Sequence, residues 1–134
     1  MMKRNLIGVL FLSILALLLT GCPHQATVYN VENASVVVGG MGDSFTEDDV
    51  KKAIIRAGAA LGWNMKVEKP GKILGTLYLR SHMAQVDIPY SERSYSIIYK
   101  TSKNLDYKDG KIHSNYNGWI QNLDRGIKNQ LSLL

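Results

Sequence analysis

The clearest pattern in the sequence lies in residues 71–100, "GKILGTLYLRSHMAQVDIPYSERSYSIIYK", where apolar and polar side chains alternate. The alternate apolar positions form three groups: Ile73, Leu77 and Leu79; Ala84, Val86, Ile88 and Tyr90; and Tyr95, Ile97 and Tyr99. Strict alternation is typical of antiparallel strands that bury one face and expose the other. The three groups therefore predict three consecutive strands of one sheet with a single apolar face.

A fourth strand is predicted immediately before this segment. Trp63, Met65 and Val67 alternate with polar residues. Pro70 and Gly71 then suit the two central positions of a type II turn. Because such short turns join antiparallel neighbours, the whole segment predicts a four-stranded antiparallel meander.

One helix is predicted before the meander, in "SFTEDDVKKAIIRAGAALGW", residues 44–63. Thr46 is the expected N-cap, and Asp49, three residues later, gives a weaker form of the capping box. The apolar stripe of this helix consists of Val50, Ala53, Ile54, Ala57 and Leu61. Spacings of three and four residues place these side chains on one helix face, which we expect to pack against the sheet.

A second helix is predicted after the meander, with Ser114 or Asn115 as its N-cap. Its apolar stripe consists of Tyr116, Ile120, Leu123, Ile127, Leu131 and Leu134. Two amphipathic helices and a sheet with one apolar face predict a two-layer α+β domain. We expect it to span residues 44–134, with the order helix, meander, helix and with both helices on one face of the sheet.

The N-terminus carries a targeting signal. It reads "MMKRNLIGVLFLSILALLLTGC", with Lys3 and Arg4 ahead of the uncharged residues 6–19. This apolar run is shorter than the roughly 20 residues that span a bilayer core. A positive start followed by a short apolar run is typical of a secretory signal peptide, which we assign to residues 1–21.

Residues 19–22, Leu-Thr-Gly-Cys, resemble the lipobox of bacterial lipoproteins. The resemblance implies cleavage between Gly21 and Cys22, a diacylglyceryl group on the Cys22 sulfur and an acyl group on the new amino terminus. Two or three such chains hold a protein stably at a membrane. Since Cys22 is the only cysteine, an internal disulfide is excluded. Pro23 in place of aspartate implies, in a Gram-negative organism, the periplasmic side of the outer membrane.

The residues that follow predict a tether. The segment 22–43 includes Pro23 and a glycine cluster at 39–42, and glycine-rich sequence is flexible. We therefore expect a lipidated cysteine on a flexible tether that leads to the domain. Two short β-prone runs inside it leave open that one of them adds an edge strand.

The charge of the chain argues against nucleic-acid binding. The sequence has 16 basic and 11 acidic residues, and Lys3 and Arg4 leave with the signal peptide. The remaining surplus is small and spread along the chain, whereas nucleic-acid binding requires a concentrated basic surface. We expect a solvated surface and no nucleic-acid partner.

Three segments within residues 53–125 carry a further resemblance: "AIIRAGAALGW", "GTLYLRSHMAQVDIPY" and "YSIIYKTSKNLDYKDGKIHSNYNGWIQNLDR". They resemble a family of small, uncharacterised proteobacterial lipoproteins that combine a lipobox signal peptide with a compact α+β domain. That family has no assigned reaction. The resemblance therefore implies a location in the cell envelope and no catalytic mechanism.

Two histidines leave an enzymatic interpretation open. His82 or His113 could act as a general base, oriented by Asp87 or Asp106, in a small periplasmic hydrolase. The three histidines, at positions 24, 82 and 113, do not have the spacing of metal ligands. We therefore predict no metal and no cofactor, apart from the acyl groups on Cys22.

The polar face of the sheet is the main candidate site. Its most informative residues are Leu74, Tyr78, Arg80, Asp87, Ile98 and Lys100. Apolar anchors rimmed by polar groups are typical of a binding surface. We expect a lipid-anchored periplasmic module that binds or scaffolds an envelope protein, peptidoglycan or lipid. The alternative is an ordinary solvated face on which Arg80 and Asp87 pair across strands.

Overall fold

A computed structural model describes residues 24–36 and 44–134 of the chain. Its elements are, in order, β1 (Gln25–Thr27), β2 (Val31–Ser35), α1 (Glu47–Ala60), β3 (Asn64–Lys69), β4 (Lys72–Leu79), β5 (His82–Pro89), β6 (Ser94–Lys103), β7 (Lys111–His113) and α2 (Ser114–Ser132). The fold is α+β, as predicted. The signal peptide with Gly21, the lipidation site Cys22 and the glycine cluster at 39–42 lie outside the described residues.

Strands β2 to β6 form one antiparallel sheet in the order β2-β6-β5-β4-β3, and β1 and β7 form a separate two-stranded sheet. Strands β3 to β6 follow one another as the predicted meander does. The prediction of a four-stranded sheet is wrong, because β2 pairs with the remaining edge of β6. An unpaired strand edge offers free main-chain hydrogen-bonding groups. Val31 of β2, which lies opposite Ile97, also buries its side chain there.

The segment before α1 is fastened to the rest of the domain by a side chain of α2. The amide of Asn117 accepts a hydrogen bond from the Tyr29 N–H at 2.9 Å and donates one to the Thr27 carbonyl at 2.9 Å. Strands β1 and β2 fall inside the stretch that the sequence assigned to a flexible tether. Residues 24–36 therefore belong to the folded domain.

The two helices begin with different caps. At α1, Thr46 Oγ1 accepts from the Asp49 N–H at 3.1 Å and Asp49 Oδ2 accepts from the Thr46 N–H at 2.9 Å, which confirms the capping box. The bond that the Thr46 N–H donates to the Asp49 carboxylate holds the pKa of Asp49 below its ordinary value. At α2, Nδ1 of His113 accepts from the Asn115 N–H at 3.2 Å. The prediction of Ser114 or Asn115 as this cap is wrong, because the helix starts directly after β7.

The core lies between the sheet and the two helices. Its buried members include Ile73, Ala84, Val86, Ile88 and Ile97 of the sheet, Val50, Ala53, Ile54 and Ala57 of α1, and Tyr116, Ile120, Leu123, Ile127 and Leu131 of α2. The helices pack side by side, since a Cβ at Gly126 would lie 3.5 Å from that of Ala57. Tyr95 Oη of β6 donates to Asp124 Oδ1 of α2 at 2.5 Å. Burial, together with this bond, raises the pKa of Tyr95. Both helices thus cover one face of the sheet.

Candidate functional site

The outer face is the side of the five-stranded sheet opposite the helices, and the described elements leave it uncovered. Its centre is a row of three side chains on neighbouring strands. Leu74 of β4 pairs with Asp87 of β5, and Asp87 pairs with Ile98 of β6. All three are partly buried within the sheet surface. The row, hereafter the central row, presents apolar contact area on both sides of one carboxylate.

Four charged side chains lie at the central row: Glu68, Lys72, Asp87 and Lys100, hereafter the charge quartet. Lys72 Nζ lies 3.3 Å from Glu68 Oε2 and 3.5 Å from Asp87 Oδ1. Lys100 Nζ lies 3.9 Å from Glu68 Oε1 and 3.6 Å from Asp87 Oδ1. Glu68 first, and Asp87 next, raise the pKa of Lys72 above its ordinary value. Because two positive charges face two negative ones, the charge quartet itself has no net charge.

Asp87 is the least satisfied member of the quartet. Its Oδ1 atom is buried and has no hydrogen-bond partner among the described residues. The two lysine ammonium groups stand at 3.5 and 3.6 Å from it, which is longer than the roughly 2.7–2.9 Å of a strong charge-assisted bond. Buried polar atoms are nearly always bonded in native proteins. Oδ1 of Asp87 is therefore shielded from solvent, and the two ammonium groups are its nearest charge partners among the described residues.

Arg80 does not lie beside Asp87. Leu79 pairs with His82, so Arg80 and Ser81 form the two-residue turn between β4 and β5. The register places Asp87 opposite Leu74, at the other end of the hairpin. The predicted Arg80–Asp87 pair is wrong, because strand alternation was extended past the point where β4 ends. Tyr78 stands next to this turn and is 72% exposed.

Sequence reasoning left Glu68 and Lys72 out of the site. Lys72 lies two residues before Leu74, so the alternation that placed Leu74 on the outer face could have included it. Glu68 was visible only as a polar residue of the first strand of the meander. Its approach to Lys72 depends on an irregularity in the β3–β4 pairing, where the register shifts between Val67 and Lys69. The charge quartet therefore needed the three-dimensional register.

The two candidate catalytic histidines are bonded to main-chain groups. Nδ1 of His82 lies 2.7 Å from the carbonyl oxygen of Asn104, and Nδ1 of His113 caps α2. Asp87 belongs to the charge quartet, and Asp106 is exposed. In the part of the chain that the structure covers, no hydrogen bond or ion pair joins either histidine to Asp87 or Asp106.

Within residues 24–36 and 44–134, no three His, Cys, Asp or Glu side chains are grouped so as to hold a metal ion. None of the helices in these two ranges has the length and apolar character needed to cross a membrane. No protein-family model, curated protein or solved structure matches the chain. Function therefore has to be inferred from the residues and their geometry.

Proposed function

We propose that this protein is a lipid-anchored module of the bacterial cell envelope that binds a partner protein through the outer face of its sheet. The lipobox-like residues that end at Cys22 support the anchor. The binding proposal depends on the central row, in which Asp87 lies between Leu74 and Ile98 on an uncovered sheet. An apolar patch around one partly exposed carboxylate is suited to receive a complementary surface.

The surroundings of the central row match the anatomy of a protein interface. On one side, Gln85 Nε2 donates to Thr76 Oγ1 at 3.2 Å, so this pair of polar side chains is already satisfied. On the other side, the charge quartet forms a polar border that neutralises itself. An apolar centre with a polar rim is the usual arrangement of a specific protein interface.

The neutrality of the charge quartet favours a protein over an anionic polymer or lipid as the occupant of this face. Lys72 and Lys100 are each within 4 Å of two carboxylates, so these two cations are balanced locally and the quartet offers no net charge to phosphate groups. A protein can instead match the sheet by shape and contact the part of the Asp87 carboxylate that is exposed. Such complementarity, rather than net charge, gives specificity in a small interface.

Site-specific photo-crosslinking in living cells tests the proposed binding face. A photoreactive amino acid at position 98 should give a discrete protein adduct, and the same amino acid at the exposed position Gln121 of α2 should not. The change Leu74→Glu in the position-98 protein should reduce the adduct about tenfold, as expected for a loss of about 1.4 kcal/mol of binding free energy.

The chemical identity of the adduct distinguishes a protein partner from lipid or peptidoglycan. An adduct with lipid or peptidoglycan in place of protein would contradict the class of partner proposed here. The absence of any adduct at position 98, or an equal yield at positions 98 and 121, would contradict the proposed binding face. Thermal unfolding of the Leu74→Glu variant checks that its domain is still folded.

Intact-mass analysis of the purified protein tests the anchor independently. The wild-type protein should begin at Cys22 and carry the added mass of its acyl groups. The Cys22→Ala variant should lack that mass and should leave the membrane fraction. A wild-type protein that is cleaved elsewhere, or is not acylated, would rule out the lipoprotein interpretation.

A further inference from the structure

His24 and Gln25, at the start of the described chain, determine how close a lipidated Cys22 lies to the domain. The Ser114 N–H donates to the His24 carbonyl at 2.6 Å, and Gln25 pairs with His113 in the two-stranded sheet. Only Pro23 separates Cys22 from this fastened segment. Because two residues of extended chain span at most about 7 Å, an anchor at Cys22 has to enter the membrane directly beside the domain.

Hydrogen bonds connect this point with the turn between β4 and β5. The His113 N–H donates to the Leu105 carbonyl at 2.8 Å. Asn104, the preceding residue, donates its Nδ2 to the Ser81 carbonyl at 2.6 Å, and its own carbonyl lies 2.7 Å from Nδ1 of His82. The start of β1 and the β4–β5 turn are therefore neighbours. We call this region the anchor end; it comprises residues 24–25, 78–82, 103–111 and 113–115.

The β4–β5 turn gives the anchor end an amphipathic surface. Tyr78 and Leu79 are 72% and 44% exposed, although both are large apolar side chains. Arg80 follows them in the turn, and Lys103 of β6 is exposed opposite Met83. Tyrosine favours the headgroup level of a bilayer, and long basic side chains place their charge at the phosphates while their stems lie against apolar groups. This combination suits a lipid surface.

The cations of the anchor end have no carboxylate partners. They are Arg80, Lys103, Lys108 and Lys111, and no described residue forms an ion pair with any of them. Only Asp106 and Asp109 bring negative charge to the same region, which leaves it with a positive surplus. Anionic lipid headgroups attract basic side chains held within about a Debye length of the membrane.

Arg80 also has an unusual backbone conformation. Its φ angle is +55°, a left-handed value that is unfavourable for a residue with a long side chain. Glycine would adopt it without strain. The two-residue turn between β4 and β5 accounts for this value, because such hairpin turns place their first central residue at positive φ, and the turn leaves the Arg80 side chain exposed.

We propose that the anchor end lies on the lipid surface, with Tyr78 and Leu79 at the interface and with Arg80 and Lys103 on the phosphates of anionic lipids. This inference rests on the proposed lipidation of Cys22 and specifies how the anchored module is oriented. Leu74 lies five residues before Leu79, about 17 Å along the strand. The central row therefore stands clear of the headgroups and remains accessible to a protein partner.

Fluorescence quenching in reconstituted vesicles tests this orientation. The acylated protein has no other cysteine than Cys22, so Leu79→Cys introduces a single free thiol for an environment-sensitive label. Leu133→Cys is the matched control, because Leu133 is 77% exposed and follows the far end of α2, about 28 Å from the start of that helix. The vesicles contain phosphatidylethanolamine and phosphatidylglycerol, with nitroxide-labelled lipid as the quencher.

The expected result is at least about threefold stronger quenching of the label at position 79 than at position 133, in a protein that floats with the vesicles through its acyl chains. Equal quenching in a floating protein overturns the orientation and leaves the anchor intact. A protein that does not float overturns the anchor and the orientation together. Unchanged quenching in vesicles of phosphatidylcholine alone overturns the role of anionic headgroups.

The substitution Arg80→Gly separates lipid contact from folding. It removes the charge and relieves the left-handed strain, so the melting temperature should stay the same or rise. Quenching of the label at position 79 should fall about threefold, as expected for the loss of one basic contact with anionic lipid. Quenching equal to that of the parent protein would show that Arg80 does not contact the lipid.

Discussion

The charge quartet and the anchor end use the same residue types in opposite ways. In the quartet, Lys72 and Lys100 face two carboxylates at 3.3–3.9 Å, so their charges are cancelled within the sheet. At the anchor end, Arg80 and Lys103 have no described carboxylate beside them. Strand register produces this difference, because it determines which side chains meet across neighbouring strands. The first surface is therefore suited to a partner matched by shape, and the second to an anionic surface.

The largest expected effect is a difference in the free energy of unfolding between alanine variants on the two faces of β6. Ile97 is fully buried in the core, whereas its neighbour Ile98 lies on the outer face. Ile97→Ala should lower the free energy of unfolding by about 2–5 kcal/mol through cavity formation. Ile98→Ala should lower it by less than about 1 kcal/mol, because little apolar surface is returned to water. Urea unfolding of both variants measures the difference.

The same pair of variants also tests whether the outer face is exposed in the isolated protein. If Ile98→Ala costs as much stability as Ile97→Ala, the outer face is covered in the isolated protein and is not available to a partner. If the costs differ as expected, Ile98→Ala should still weaken the crosslinked complex. The outer face would then serve binding more than folding.

A smaller effect is expected where α2 holds the N-terminal segment. Asn117→Ala removes one bond to Tyr29 and one to Thr27. Each such bond contributes about 0.5–1.5 kcal/mol, so the free energy of unfolding should fall by about 1–3 kcal/mol. Amide hydrogen exchange at Tyr29 should become faster, and the labelled anchor end should lose its fixed orientation in vesicles. Asn122→Ala, at an exposed position of the same helix, should change neither measurement.

The smallest effect concerns the titration of the charge quartet. The pKa of Lys72 is raised in the folded protein, so its contribution to stability is complete below the unfolded value of about 10.4 and is lost as the pH rises through the folded value. As the pH rises above about 10.4, the melting temperature of Lys72→Met should therefore fall less than that of the wild type. Tyr95, whose pKa is also raised, is common to both proteins. Identical pH profiles would show that the quartet does not couple to folding.

Much of the fold could be predicted because it follows from periodicity. The alternation around Ile73, Val86 and Ile97 predicted three strands with one buried face, and all three residues lie in the core. Thr46 and Asp49 predicted the capping box of α1, because its partners are only three residues apart. Each of these signals lies within a single element or a single helical turn.

The candidate site was less predictable, because it depends on contacts between elements. Leu74, Asp87 and Ile98 were assigned to one face by alternation, and the structure also aligns them in one row. Arg80 was misplaced, since a turn without glycine or proline gave no sign that β4 ends at Leu79. The hydrolase interpretation named His82 and His113. In the structure, the Nδ1 atom of each histidine forms a hydrogen bond with a main-chain group.

The sequence by itself determined the helices, the meander strands and most of their buried residues, because the periodicity of apolar residues can be read along the chain. Leu61, Leu79 and Leu134, at the ends of the predicted apolar stripes, are exposed in the structure. It also predicts the lipid anchor at Cys22, which depends on a short linear motif. Only the tertiary structure showed that residues 24–36 belong to the domain, that β2 completes the sheet and that two lysines neutralise Asp87. These features depend on which strand edges are free and on the registers at which they pair. The pattern of any one segment contains no information about its neighbour across the sheet.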